Sequence, residues 1–283
     1  MIKIIINADD LGKSHEVNES IAEALEGKHI TSSTILANSS TWDEVHRIVD
    51  DHSEASFGVH LNLTEGKALT DSLAFHKYGI VDDENCFRKS IREVSSYPDE
   101  LLRAVYDEWD AQIDKVKNVE RIPITHFDGH HHVHSIYAFA DILCQLGEKY
   151  DVHKLRNRYF YPRGRTYDSL RFVARIPILD SIFCGCQGRG KLSAILQREA
   201  ENALWQKKIK KVFRTPEYFN AYEGQVELLK SGIQLPAGSI VELMCHPGHK
   251  DFKEEYMSIL NKAVENNING KVSYINYRKL KWL

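Results

Sequence analysis

The sequence predicts an α/β fold, specifically a single-domain distorted (β/α) barrel that is TIM-barrel-like, and three observations predict it. Runs of strand-forming residues alternate with helical periodicities along the chain, without a repeat or a low-complexity linker to divide it. Its 283 residues suit one barrel, a fold that commonly takes about 250. Polar residues able to bind a metal or move a proton stand at the C-terminal ends of four predicted strands, the end where β/α folds build their sites. A doubly wound sheet would call for GxGxxG after its first strand. NADDLG puts acids where phosphate-cradling amides would be needed, which disfavours a dinucleotide.

The first unit is a strand at Lys3 to Asn7, followed by Val17, Ile21, Ala24 and Leu25 at helical spacing. The second is a strand over Ile30 to Asn38 and a helix opened by a capping box, Thr41 with Glu44 three residues on. Ser56 to Leu63 is the third strand. From about 64 to 97 the periodicity weakens, and we expect an insertion near the mouth of a site. Leu102, Val105, Trp109, Ile113 and Val116 then share one helix face beyond Pro98. Ile122 to Asp128 reads as a strand, Tyr137 to Tyr150 as a helix, His153 to Arg156 as a short strand, and Gly185 to Gly190 as a loop. Ile240 to Cys245 and Val272 to Tyr277 are the last strands, separated by a helix around Tyr256, Leu260 and Val264.

Composition narrows the function. With 42% hydrophobic and 27% charged residues the chain can build an ample core, and disorder is disfavoured. The net charge of −3 and scattered basic residues offer no stripe for nucleic acid. The densest cluster, Lys207 to Lys211, reads as a solvated helix face. Five cysteines, an odd number without regular spacing, suit a reducing cytoplasm. The first apolar run is too short for a signal peptide, and no window approaches the ~20 apolar residues of a membrane span. We therefore expect a soluble, cytoplasmic protein without membrane or nucleic-acid partners. A homodimer is compatible with the sequence, although no periodic surface face establishes one.

The chemistry collects in four segments. Asn7 to Asp10 places adjacent carboxylates after three isoleucines, and adjacent residues at a strand end point in different directions. One can bind an ion while the other stays free as a base. In FGVHLNLTEG, period two puts His60 and Asn62 on one face and Phe57, Val59, Leu61 and Leu63 on the other. THFDGHHHVH carries five histidines in ten residues. If extended geometry persisted, His126, Asp128, His130, His132 and His134 would share a face, but a bend is expected at Gly129. Imidazoles with a carboxylate suit Zn, Fe, Co or Mn, and carboxylate-rich sites also accept Mg. Asp128 has the chemistry of a carboxylate that orients a ligating histidine. In VELMCHPG, His246 stands at a strand end before a Pro-Gly turn, placed to exchange protons with a substrate.

NADDLG, GVHLNLTEG and THFDGHHHVH resemble, in order and spacing, the three signatures of the YdjC-type carbohydrate deacetylases, which include chitooligosaccharide deacetylases acting on diacetylchitobiose. The likeness runs from the first strand to about residue 160 and resumes at LMCHPG. The resemblance implies a distorted β/α barrel and one divalent ion, with Mg²⁺ favoured, held by Asp10, His60 and His130; on ligand grounds Zn²⁺ would also suit the set. It further implies hydrolysis of the N-acetyl group of acetylated amino sugars or chitooligosaccharides, with Asp9 as general base and His246 protonating the leaving amine. Asn62, Asp128 and Arg156 are further candidates for contact with the sugar, and Phe127, Tyr159 and Tyr161 for stacking on its ring. Gly129 stands where a serine often precedes the histidine run. Two rival readings are another metallohydrolase on this architecture, such as a phosphoesterase, and a non-catalytic sugar- or metal-binding protein. A pure binding site has no need of Asp9.

Overall fold

The computed structural model describes residues 1–158 and 192–280. In chain order these form β1 (Ile2–Leu11), α1 (His15–Glu26), β2 (Ser32–Ile35), α2 (Trp42–Asp51), β3 (Ser56–Leu61), α3 (Leu73–Lys77), α4 (Asp99–Asp114) and β4 (Ile124–Gly129). After them come α5 (Ala140–Tyr150), α6 (Leu192–Ile209), β5 (Tyr218–Ala221), α7 (Tyr222–Lys230), β6 (Ile240–Cys245), α8 (Lys253–Leu260), α9 (Ala263–Asn267) and β7 (Val272–Tyr274). The strands pair in parallel in the order β4-β3-β2-β1-β6-β5. β7 joins β1 at Ile2 to Ile4, on the edge opposite β6. The sheet curls into a half-barrel with helices outside it, the barrel-like α/β architecture that the sequence predicts.

Strand periodicity sorts the two faces. On β1, Ile4, Ile6 and Ala8 enter the large core shared with Ile21 and Leu25 of α1 and Trp109 of α4. Ile5 packs instead with Tyr277 on the inner side. Asn7 and Asp9 follow Ile5 at the same parity, so the strand delivers polar groups inward just where it ends. On β3, Phe57, Val59 and Leu61 lie in the outer core, leaving Gly58 and His60 inward. A Cβ at Gly58 would stand 2.6 Å from the His126 carbonyl oxygen, so this close approach requires glycine.

Several local expectations change. Thr41 and Glu44 do not form a capping box. Asn18 of α1 donates from Nδ2 to Thr41 Oγ1 and Glu44 Oε2, both at 2.8 Å, and so ties the start of α2 to α1. Residues 153–156 make only isolated bridges, Phe127 to Leu155 and Lys154 to Arg214. The helix expected around Tyr256 to Val264 is broken into α8 and α9 by Lys262 at φ 51°. β5 has no counterpart in the sequence reading. The loop expected at Gly185 to Gly190 lies outside the described residues. Among the described residues no helix is long and apolar enough to cross a membrane.

The segment from 64 to 97 folds over Phe75, which meets Phe87 edge to face at 5.9 Å. Two buried side chains of α4 pin its beginning. Glu108 accepts from the backbone of Leu69 and Thr70 and from Thr70 Oγ1, while Gln112 bonds both backbone groups of Asn62. Removing the acceptor of buried donors costs about 1–3 kcal/mol. Glu108→Ala should therefore lower the urea midpoint and admit proteolysis within 64–97 before the rest of the chain opens. Unchanged resistance to a protease would contradict this anchoring.

Candidate active site

Three strands bring Asp10, His60 and His130 together. Asp10 occupies an irregularity in the β1–β2 ladder, with φ 72°. This left-handed conformation costs about 1 kcal/mol but is one that aspartate tolerates, and it turns the Asp10 side chain away from its neighbour's direction. Asp10 Oδ1 lies 3.3 Å from His60 Nε2 and 2.9 Å from His130 Nδ1. Although it is buried, Oδ1 meets no donor at hydrogen-bond geometry among the described residues. One ligand atom from each of the three residues lies within 4.8 Å of the others.

Each imidazole is aimed by an acceptor behind it. His60 Nδ1 sits 2.6 Å from Asp128 Oδ1, which leaves Nε2 for the cluster; Thr34 Oγ1 donates to the other Asp128 oxygen. His130 Nε2 sits 3.0 Å from Glu65 Oε2, which leaves Nδ1 for the cluster. Backing carboxylates of this kind fix the tautomer and raise the basicity of a ligating histidine. Two other groupings have metal-competent residues, Asp9/His60/Asp128 and Glu65/His130/His131. In the first, both carboxylates are taken up by Arg156. In the second, the His131 ring is bonded to Thr64, and Glu65 reaches out to Lys13. Among the described residues, the donor set around Asp10 is thus the one left best able to accept a divalent ion. Losing a backing carboxylate typically weakens metal binding 10–100-fold. If the cluster around Asp10 holds an ion, Glu65→Ala should weaken its binding by about 10-fold in calorimetric titration, and wild-type affinity in that variant would remove the orienting role of Glu65.

Beneath this cluster Arg156 is fully buried among acids. Its Nη1 and Nη2 donate to the two oxygens of Asp9 at 2.7 and 2.6 Å, its Nε donates to Glu242 at 2.8 Å, and Nη2 is 3.0 Å from Asp128. Burial works to raise the Asp9 pKa, but the guanidinium overrides it and holds the carboxyl well below the usual range. Burial likewise opposes ionisation of Asp10, and the neighbouring histidines, His130 foremost, hold it low. At the rim, the His246 ring stacks on Phe252 with centroids 4.3 Å apart. Burial acts to lower its pKa, and Glu255, with an oxygen 3.4 Å from Nδ1, raises it above the ordinary value.

Several residues expected to contact a substrate have their side chains engaged within the protein. Arg156 spends its donors on Asp9, Asp128 and Glu242, so it does not reach a ligand's hydroxyls. Asp128 is buried behind His60. Asn62 bonds Glu65 O, Thr64 N and Glu65 N, which shapes the loop that carries Glu65. Phe127 points outward, fully buried and edge-on to Phe213, and offers no stacking platform. Tyr159 and Tyr161 lie outside the described residues. The histidine run bends at Gly129: residues 130–135 form a short 3₁₀ segment in which His131 and His132 take φ of 48° and 58°. His126 is stacked flat on Tyr277 at 3.7 Å, well below the rim.

Sequence reasoning missed His249, whose Nε2 lies 3.0 Å from Asp10 Oδ2. The signal was the Pro-Gly turn after His246. Gly248, at φ 82°, packs where a Cβ would meet the Glu16 carbonyl at 2.5 Å, and the turn carries His249 back over β1. It also missed Glu65, which stood unassigned in GVHLNLTEG, and Thr34.

A curled parallel sheet bearing an aspartate and two histidines at its C-terminal rim, above a buried arginine-carboxylate cluster, defines a barrel-like protein with a metal-competent centre. The chain belongs to the YdjC-like protein family, whose model matches residues 3–274. It is 26% identical over 293 aligned residues to a carbohydrate deacetylase of Clostridium beijerinckii, with 99% of this chain and 100% of the relative covered. A carbohydrate deacetylase of Halalkalibacterium halodurans is also 26% identical, over 88% of this chain and 86% of its own. A crystal structure from Enterococcus faecalis, provisionally assigned as a cellobiose-phosphate cleavage protein, superposes with a TM-score of 0.66 at 22% identity, covering 99% of both chains. This last likeness is one of fold.

Proposed function

We propose that this chain is a metal-dependent carbohydrate deacetylase, hydrolysing the N-acetyl group of acetylated amino sugars or chitooligosaccharides and releasing acetate. The observation that carries the reading is the convergence of Asp10, His60 and His130 beside an Asp9 held by Arg156. Similarity to carbohydrate deacetylases over nearly the whole chain supports sugar as the substrate class. Asp10 Oδ1, His60 Nε2 and His130 Nδ1 would hold the ion. We place Mg²⁺ first on the family resemblance, and Zn²⁺ second on the two imidazoles.

When bound, a divalent ion supplies Lewis acidity to the acetamide carbonyl and to an attacking water. Asp9 would take the proton of the attacking water. Arg156 keeps Asp9 ionised, the state a base must occupy before it acts, and also lowers its proton affinity, so the proton does not rest there. His246, made more basic by Glu255, carries a proton for the departing amine on the rim of the same site. His249 lies between His246 and Asp10, 5.8 Å from the first ring centre to centre.

The test is acetate release from N-acetylated chitooligosaccharides by wild type and Asp9→Asn, with Mg²⁺, Mn²⁺, Co²⁺ or Zn²⁺ added after chelation. General bases contribute about 10²–10⁴-fold. Asp9→Asn should lose that much in kcat while binding the ion nearly as well as wild type. Full activity in the variant would remove the base role from Asp9. No acetate from any acetylated sugar with any of the ions would overturn the reading.

A further inference from the structure

We propose that Glu242 and Tyr277 are positioning residues of the active site, acting through Arg156 to fix the direction of the Asp9 carboxylate. The kinetic part rests on the deacetylase reading. The structural part does not.

Asp9 takes one bond from Asn7 Nδ2 at 2.9 Å, and both of its oxygens accept from the planar Arg156 guanidinium, so what sets that plane bears on the direction of the carboxylate. Both Nη atoms of Arg156 point to one side, toward Asp9 and Asp128. Those contacts hold only the Nη end of the group. Glu242 closes the opposite edge by accepting from Nε at 2.8 Å, and the Phe219 ring lies 4.9 Å from the guanidinium carbon. Glu242 is itself held. Its second oxygen accepts from Tyr277 Oη at 2.5 Å, and β6 fixes its backbone opposite Ile5 of β1 and Phe219 of β5. Tyr277 has one ring face against His126 at 3.7 Å, and its backbone N–H donates to Ser56 Oγ of β3. These groups are buried and none faces the rim where a sugar would enter. A continuous set of contacts thus runs from the floor of the half-barrel through Tyr277, Glu242 and Arg156 to Asp9. A packed core gives such a set little room to relax.

Misplacing a catalytic group by about 1 Å costs on the order of 10²-fold. Glu242→Leu should therefore lose about 10–100-fold in kcat with KM within about twofold of wild type. Glu242→Gln keeps an acceptor for Nε and should recover most of that loss, to within about fivefold of wild type. Tyr277→Phe, which removes one hydroxyl, should fall between them and serves as the test if Glu242→Leu does not fold. The second readout needs no activity: hydrogen exchange of the Arg156 Nε–H followed by NMR. It should be slow in wild type and Glu242→Gln, and about 10-fold or more faster in Glu242→Leu or Tyr277→Phe. A folded Glu242→Leu, or Tyr277→Phe in its place, with wild-type kcat and wild-type Nε–H exchange would overturn the proposal. So would a Glu242→Gln no better than Glu242→Leu, because the loss would then follow charge and not the hydrogen bond. Absence of acetate release by wild type would refute the deacetylase reading, and the exchange measurement would still decide this one.

Discussion

Asp10→Ala is expected to leave a folded protein that neither retains a divalent ion after dialysis nor releases acetate, a loss on the order of 10⁴-fold or more if Lewis acidity and positioning disappear together. The cause is geometric. Asp10 Oδ1 is the anionic atom common to both histidine contacts, at 3.3 and 2.9 Å. Without it His60 and His130 face each other with ring centroids 5.3 Å apart and no carboxylate between them. His60→Ala and His130→Ala each leave the carboxylate in place and should bind the ion weakly enough to be rescued by millimolar metal. Metal analysis and acetate assays on the same samples check the prediction. An Asp10→Ala protein that keeps stoichiometric metal would show that the ion is held elsewhere.

Arg156→Leu should have the largest effect on stability. The substitution leaves Asp9, Asp128 and Glu242 buried around a site that has lost its guanidinium. Breaking a buried ion pair by removing one partner costs about 3–5 kcal/mol, and this cation serves three acids. That is a large share of the roughly 5–15 kcal/mol that holds a domain folded. Urea unfolding followed by circular dichroism should show the midpoint collapse. A variant within about 1 kcal/mol of wild type would mean that the acids shed their charge at little cost, and that Arg156 does not hold them in place.

The parts of the site legible in the sequence are those that strand geometry dictates. Isoleucines before NADD, and the alternation in FGVHL, place Asp9 and His60 inward at strand ends because side chains along a strand alternate strictly. The same parity argues against Phe127 as a sugar platform, since it stands between His126 and Asp128 and must face the other way. The partners of Arg156 were not legible. Glu242 and Asp9 lie 86 and 147 residues from it in sequence, and nothing local distinguishes a buried arginine from one that meets a sugar. Thr41 with Glu44 illustrates a different failure, in which a locally sound cap was drawn into a tertiary contact with Asn18. β5 escaped notice because YFNA is four residues long and lacks alternation. His249 depended on the path of a turn, which the sequence marks only by Pro247 and Gly248.

The most direct test of the central claim is acetate release from N-acetylated chitooligosaccharides by one preparation, assayed as purified, after chelation, and after stoichiometric return of a divalent ion. Activity should vanish on chelation and return at one ion per chain. Deacetylation that proceeds unchanged in the chelated protein would contradict a metal-dependent reaction at Asp10, His60 and His130.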